Sequence, residues 1–291
     1  MRIKKFGAIA LAVWSISLLA TPEAAAQPED YLSAPAPDGY PSDLVTFETT
    51  SSTLDRERLE SIHGDKLYPY DDSLEEVDLV VFYPGVGYGT QNFVVGNSHY
   101  GLGAAFASAG FDNHDDAVLE SGVLFLIPRS ATKPFASVEK TIKVLEEERG
   151  IRVRSVTMGG WSGGSWGLTS ALRSDIPFRA VLYADPSPGR STIKSWPSPA
   201  EMDRGPMLVN WYRKKNWGSA ARSGGWYSNS NPVFLGKVRE SGGDSYSVEL
   251  RHNEILLLAL VTGIKIAQLD ETKHDFSLRA AKRGAISRIG Q

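Results

Sequence analysis

Apolar residues fall along this chain in short runs separated by segments of helical spacing. Val77 to Tyr83, Val123 to Ile127, Val153 to Met158, Ala180 to Ala184 and Met207 to Tyr212 are mostly apolar stretches. Four of them stop at turn-forming pairs, namely Pro84-Gly85, Pro128-Arg129, Gly159-Gly160 and Asp185-Pro186, and the fifth is entered through Gly205-Pro206. Each reads as a strand. Leu44 to Thr49 alternates instead and predicts an edge strand. Between the second and third runs, Ser137 to Arg149 places Val138, Ile142 and Leu145 on one face and charges on the other. That spacing predicts an amphipathic helix with Ser137 as its N-cap and Gly150 as its stop. Tyr246 to Leu250 is a candidate last strand, and Leu256 to Val261 is too short to span a bilayer and predicts a buried helix.

Strands that are apolar throughout suit a sheet covered by helices on both faces. Alternation of strand and helix then predicts an α/β fold with a doubly wound, mostly parallel sheet. Neither an internal repeat nor a long low-complexity segment divides the chain, so one domain is expected over residues 43–291, after a Pro-, Ala- and Ser-rich lead-in over 27–42. The first 26 residues differ in kind. Arg2, Lys4 and Lys5 precede an apolar run from Phe6 to about Ala20, and Ala24-Ala25-Ala26 offers a small-residue cleavage site. This predicts a secretory signal peptide, a secreted or periplasmic protein, and no stable membrane anchor after cleavage. The net charge of −3, with no dense basic stripe, points away from nucleic acid. The absence of cysteine removes disulfides, thiol nucleophiles and Cys-ligated metals. Asp112 to Asp116 matches no defined ligand loop and reads as a turn and helix start, so neither metal nor cofactor is expected.

The chemistry concentrates after the third run, in Met158-Gly159-Gly160-Trp161-Ser162-Gly163-Gly164-Ser165-Trp166-Gly167. A strand enters a Gly-rich turn that opens a helix, with serine at the centre of Gly160-x-Ser162-x-Gly164. Glycines at both ends let strand and helix approach closely. The serine then stands at a helix N-terminus, where the dipole favours a developing oxyanion. From about Asp43 onward the chain resembles the α/β-hydrolase superfamily, whose nucleophile elbow has this form. The resemblance implies an α/β-hydrolase fold, Ser162 as nucleophile, and a second backbone donor from the loop after an earlier strand. Here that loop is Pro84-Gly85-Val86-Gly87-Tyr88-Gly89. It departs from the His-Gly of many relatives. The expected oxyanion hole is the N–H of Val86 or Gly87 together with that of Gly163.

The superfamily order is serine, acid, histidine, and only His252 and His274 follow Ser162. His274 is preferred because it lies in a polar loop before a final helix, Ser277 to about Ile289. His252 is the rival, since it follows the candidate last strand. The usual place for the acid, after Met207 to Tyr212, holds Arg213-Lys214-Lys215-Asn216. Some members of the superfamily take their acid from the end of the preceding strand, so the resemblance implies Asp185, with Asp203, Asp244 and Asp270 behind it. About 20 residues separate these two strands, room for a small lid only. Trp217 belongs to an aromatic and basic segment, Trp211 to Tyr227, that could line a substrate path or pack over the sheet edge. Tyr88, Trp161 and Trp217 are the expected substrate contacts. The resemblance implies hydrolysis of an ester-type substrate through an acyl-enzyme. An acyltransferase, a peptidase, or a non-catalytic glycan-binding protein with a degenerate site are the alternatives.

Overall fold

The computed structural model describes residues 54, 56–87, 89–111, 117–129, 136–172, 176, 178–197, 206–213, 231–248 and 250–269. The signal peptide, the lead-in, the strand at 44–49, Asp112 to Asp116 and the final helix lie outside these residues, as do Tyr88, Trp217 and His274.

Eight strands form one sheet: β1 (Glu60–Ile62), β2 (Asp65–Tyr68), β3 (Glu76–Tyr83), β4 (Val123–Ile127), β5 (Arg152–Trp161), β6 (Phe178–Ala184), β7 (Met207–Arg213) and β8 (Asp244–Val248). Their order is β1-β2-β4-β3-β5-β6-β7-β8. The pairs β1/β2 and β2/β4 are antiparallel, and every pair from β4/β3 to β7/β8 is parallel. This is the doubly wound, mostly parallel sheet, in the strand order of an α/β-hydrolase fold. The chain passes from β3 to β4 on one side and then to β5 on the other. Ligands bind outside the carboxyl ends of strands at such a switch point, here the ends of β3 and β5.

The uniform apolarity of the strands follows from two cores. Val80, Phe82, Phe125, Leu182 and Val209 point to one face, and Leu79, Val81, Leu124, Met158, Val181 and Tyr183 to the other. The first face is covered by α1 (Thr90–Gly96), α2 (Leu102–Ser108) and α8 (His252–Ala267), with α3 (Ala117–Glu120) at its edge. The second is covered by α4 (Ala136–Lys143), α5 (Ser165–Ala171), α6 (Arg190–Lys194) and α7 (Pro232–Glu240). Helix α8 is buried from Ile255 to Ala267 except at Lys265. A helix apolar on all sides must be enclosed, and this one packs on α2 and on strands β3, β5 and β6.

Local chemistry sets the element ends. Asn231 caps α7 by accepting from the N–H groups of Val233 and Phe234, with Pro232 in the first turn. Helix α4 continues into a π-helical turn at Val144–Glu148, and Gly150, at φ +70°, ends it. The helix begins at Ala136, so Ser137 lies inside its first turn and not at the cap. The β1–β2 hairpin has no counterpart in the sequence reading. His63 and Gly64 both take positive φ (53° and 86°) between its strands, the signature of a two-residue primed turn.

Candidate active site

Strand β5 runs three residues beyond Met158, to Trp161, and delivers the chain directly into Ser162. Ser162 has φ +54°, a conformation rare for a residue with a side chain. A 3-10 turn, Ser162–Gly164, follows and leads into α5. The turn is tied at the Ser162 carbonyl, which accepts from Ser165 Oγ at 2.8 Å and from the Ser187 N–H at 3.1 Å. The Ser162 side chain is half-buried at the carboxyl edge of the sheet.

The glycines of the elbow are required by close approach. A Cβ at Gly164 would lie 2.4 Å from the Tyr83 carbonyl oxygen and 2.5 Å from that of Pro84. One at Gly160 would lie 3.0 Å from the Gly164 carbonyl carbon. The loop after β3 is thus pressed onto the elbow. A Cβ at Gly163 would stand 3.2 Å from the backbone nitrogen of Val86, and one at Gly85 3.4 Å from Ser162 Cβ. Val86 and Gly163, expected to act together, are neighbours beside Ser162. Gly87, at φ +152°, is exposed one residue further along the loop.

Asp185 follows the last residue of β6. It is 2% exposed and has φ +44°. Its N–H donates to the Trp211 carbonyl at 2.7 Å, which continues the parallel ladder by one rung. The carboxylate is turned toward two cationic or basic groups. Arg213 Nε donates to Oδ2 at 2.5 Å, and the Arg213 N–H to Oδ1 at 3.3 Å. His252 Nδ1 lies 2.5 Å from the same Oδ2. An ionised carboxylate only accepts. The hydrogen therefore belongs to Nδ1, which makes Nε2 the unprotonated nitrogen of the neutral ring.

His252 is the first residue of α8, and its placement is overdetermined. The helix start is fixed by Glu254, whose carboxylate accepts from the Arg251 N–H at 2.6 Å. Trp161 Nε1 donates to the His252 carbonyl at 3.0 Å, and the two rings lie 4.5 Å apart. On its other side Trp161 stacks on Phe93 of α1 at 5.7 Å and 16°. With 8% exposure, the Trp161 indole is enclosed between Phe93 and His252. It braces the histidine.

Of the two histidines that follow Ser162, His252 is the one the described residues bring to Asp185. The sequence carried a signal for it. The apolar run from Leu256 to Val261 marks a buried helix, and that helix starts at His252, at the carboxyl edge of the sheet. Arg213 was visible only as an obstacle, a cation at the usual place of the acid. Among the described residues no group of three or more His, Asp or Glu side chains could hold a metal ion, and no helix is long and apolar enough to cross a membrane.

No protein-family model and no curated protein matches the sequence. Solved structures show a distant likeness. The siderophore hydrolase EstB from Aspergillus nidulans is 13% identical, with 74% of this chain and 95% of that one covered and a TM-score of 0.42. An S-formylglutathione hydrolase from Agrobacterium tumefaciens is 10% identical, with 70% and 88% covered and a TM-score of 0.45. Poly(aspartic acid) hydrolase-1 from Sphingomonas sp. KT-1 is 10% identical, with 70% and 93% covered and a TM-score of 0.46. Likenesses this distant decide nothing about chemistry, which has to be read from the residues themselves.

Proposed function

We propose that this protein is a serine hydrolase acting on carboxylic esters through an acyl-enzyme at Ser162, with His252 as the base and Asp185 as the acid. The observation that carries it is the 2.5 Å contact between His252 Nδ1 and Asp185 Oδ2, beside an elbow serine at φ +54°. In this reading Ser162 Oγ attacks the ester carbonyl and His252 Nε2 takes its proton. Asp185 holds the ring in the required tautomer and stabilises the imidazolium. The N–H groups of Gly163 and Val86 bind the oxyanion. The imidazolium then protonates the leaving alcohol, and water, activated by the same ring, releases the acid.

Asp185 supplies the carboxylate that the end of β7 lacks. A carboxylate bonded to the imidazole weighs against a degenerate, glycan-binding site, so hydrolysis is favoured. His252 replaces His274 as the proposed base. Cleavage after residue 26 and a secreted or periplasmic location belong to the same proposal and rest on the amino-terminal sequence.

The test is labelling with a fluorophosphonate, which reports an activated serine without knowledge of the substrate. Labelling is expected at Ser162, absent in Ser162→Ala, slowed at least a hundredfold in His252→Ala and unchanged in His274→Ala, on the order of general-base contributions. A folded protein that does not label would overturn the proposal. Slowing in His274→Ala with none in His252→Ala would return the base to His274.

A further inference from the structure

The position where an acid is ordinarily expected, the end of β7, carries Arg213, and its side chain turns back onto Asp185. The guanidinium is 18% exposed and the carboxylate 1%. Arg213 Nε and His252 Nδ1 meet the same oxygen, each at 2.5 Å. The two nitrogens are therefore no more than about 5 Å apart, whatever the angle between them. The Arg213 N–H, donating to Oδ1, makes the grip two-point.

We propose that Arg213 is a positioning residue of the site, which orients Asp185 toward His252 and offsets part of the carboxylate's attraction for a charged ring. This rests on the reading of His252 as the base. The direction follows from charge. A carboxylate alone beside an imidazole favours the imidazolium. A guanidinium on the same oxygen withdraws part of that attraction and adds repulsion toward a protonated ring. Among the described residues, Asp185 from the end of β6 and Arg213 from the end of β7 are charged groups that face His252. Strand β5 offers the uncharged Trp161, and on α8 itself Arg251 and Glu254 are turned to each other, 4.0 Å apart. Lysine could supply the charge, but not a side-on Nε donor beside a rigid plane.

Two readouts separate this inference from the function it rests on. The first is NMR titration of the His252 ring, assigned by its loss in His252→Gln, which needs no activity. Arg213→Met is expected to raise the His252 midpoint by about one pH unit, the scale of a neighbouring charge, and Arg213→Lys to bring it back toward wild type. The second is hydrolysis of p-nitrophenyl acetate. Arg213→Met is expected to lower kcat at least tenfold with little change in KM, and to move the acid limb of the pH profile upward with the NMR midpoint. Arg213→Lys is expected to keep the limb while losing part of kcat. A His252 midpoint unmoved in folded Arg213→Met would overturn the inference while leaving the serine hydrolase intact. Should that variant fail to fold, Arg213→Lys decides it, and kcat equal to wild type would overturn the positioning role. If the wild type is inert but the midpoint moves as expected, the functional reading fails and the charge relation between Arg213 and His252 stands.

Discussion

Ser162 and Asp185 both hold the left-handed backbone region with a side chain attached, at φ +54° and +44°. Each such residue costs on the order of 1–3 kcal/mol and persists only where its surroundings enforce it. At Ser162 the enforcement is the bond from Ser165 Oγ to its carbonyl and the packing of Gly164 under β3. At Asp185 it is the ladder bond to Trp211 and the grip of Arg213. A trade between stability and function is thereby predicted. Ser162→Gly should raise stability by about 1 kcal/mol in urea denaturation, because glycine accepts this conformation freely, while abolishing fluorophosphonate labelling. An unchanged or lower stability would mean that the backbone there is not strained. Asp185→Asn should keep the fold but lower kcat by up to about 10⁴, the effect of a wrong imidazole tautomer. A loss of less than tenfold would move the acid elsewhere, with Asp244 the next described candidate.

At the scale of elements, the junction of β3, β5 and α5 is where sequence and structure agree most closely. The Gly-x-Ser-x-Gly spacing is legible because backbone must meet backbone there, and only glycine permits it. Gly164→Ala would place a Cβ 2.4 Å from the Tyr83 carbonyl oxygen, where no rotamer can relieve the clash. A loss of about 1–3 kcal/mol is expected, with labelling reduced as the elbow shifts. Gly242→Ala is the control, since it has the reverse pair of properties: positive φ (73°), which Gly164 lacks, and nothing within 4 Å of the added Cβ. It should cost about 1 kcal/mol and leave labelling untouched. Equal loss of labelling in both would show that the close approach at Gly164 does not hold the elbow. Elements whose pattern reflects burial on both faces, β3, β4, β6 and β7, were readable to within a residue or two. The β1–β2 hairpin was not, because strands of three and four residues show no period and its turn is His63-Gly64, a less familiar pair than Asn-Gly. The end of β5 was cut short at Met158 because two glycines normally mark a turn. Here they keep the strand extended while Phe82 packs against Gly159, whose Cβ would lie 2.5 Å from the ring.

At the scale of the molecule, one helix joins the two edges of the sheet. Helix α8 begins at the carboxyl edge with His252 and ends at the opposite edge. There Arg179, next to the start of β6, donates to the carbonyls of Ile266 and Ala267 at 3.0 and 2.8 Å. A cation at a helix C-terminus satisfies orphan carbonyls and complements the dipole. Arg179 also lies 3.9 Å from Asp78, which Arg154 holds at 2.6 Å and Ser155 bonds through its hydroxyl. Such a long-range arrangement is invisible in sequence. For the same reason the order of residues could not choose between His252 and His274; His252 is proposed because a buried helix carries it to Asp185. The two ends of α8 should be separable by mutation. Arg179→Ala removes charged hydrogen bonds worth about 1.5–3 kcal/mol each, and leaves the 7%-exposed Asp78 carboxylate with one fewer cation. A stability loss of about 3 kcal/mol or more is expected in thermal and urea unfolding. Labelling of Ser162 should remain at the wild-type rate, because Trp161, Asp185 and Glu254 fix the other end independently. A labelling rate that falls in step with stability would mean that the histidine is held by the whole helix and not by its first turn. Acid should act on the same edge with a defined sign. Glu76 is held below the ordinary carboxylate range, chiefly by its bond from Arg152. Its small contribution is therefore complete above the unfolded value and is lost as pH falls through the lower folded one. Glu76→Gln should flatten the acid side of the stability curve without shifting the activity profile, and a shift in both would show that the two edges are coupled through the sheet.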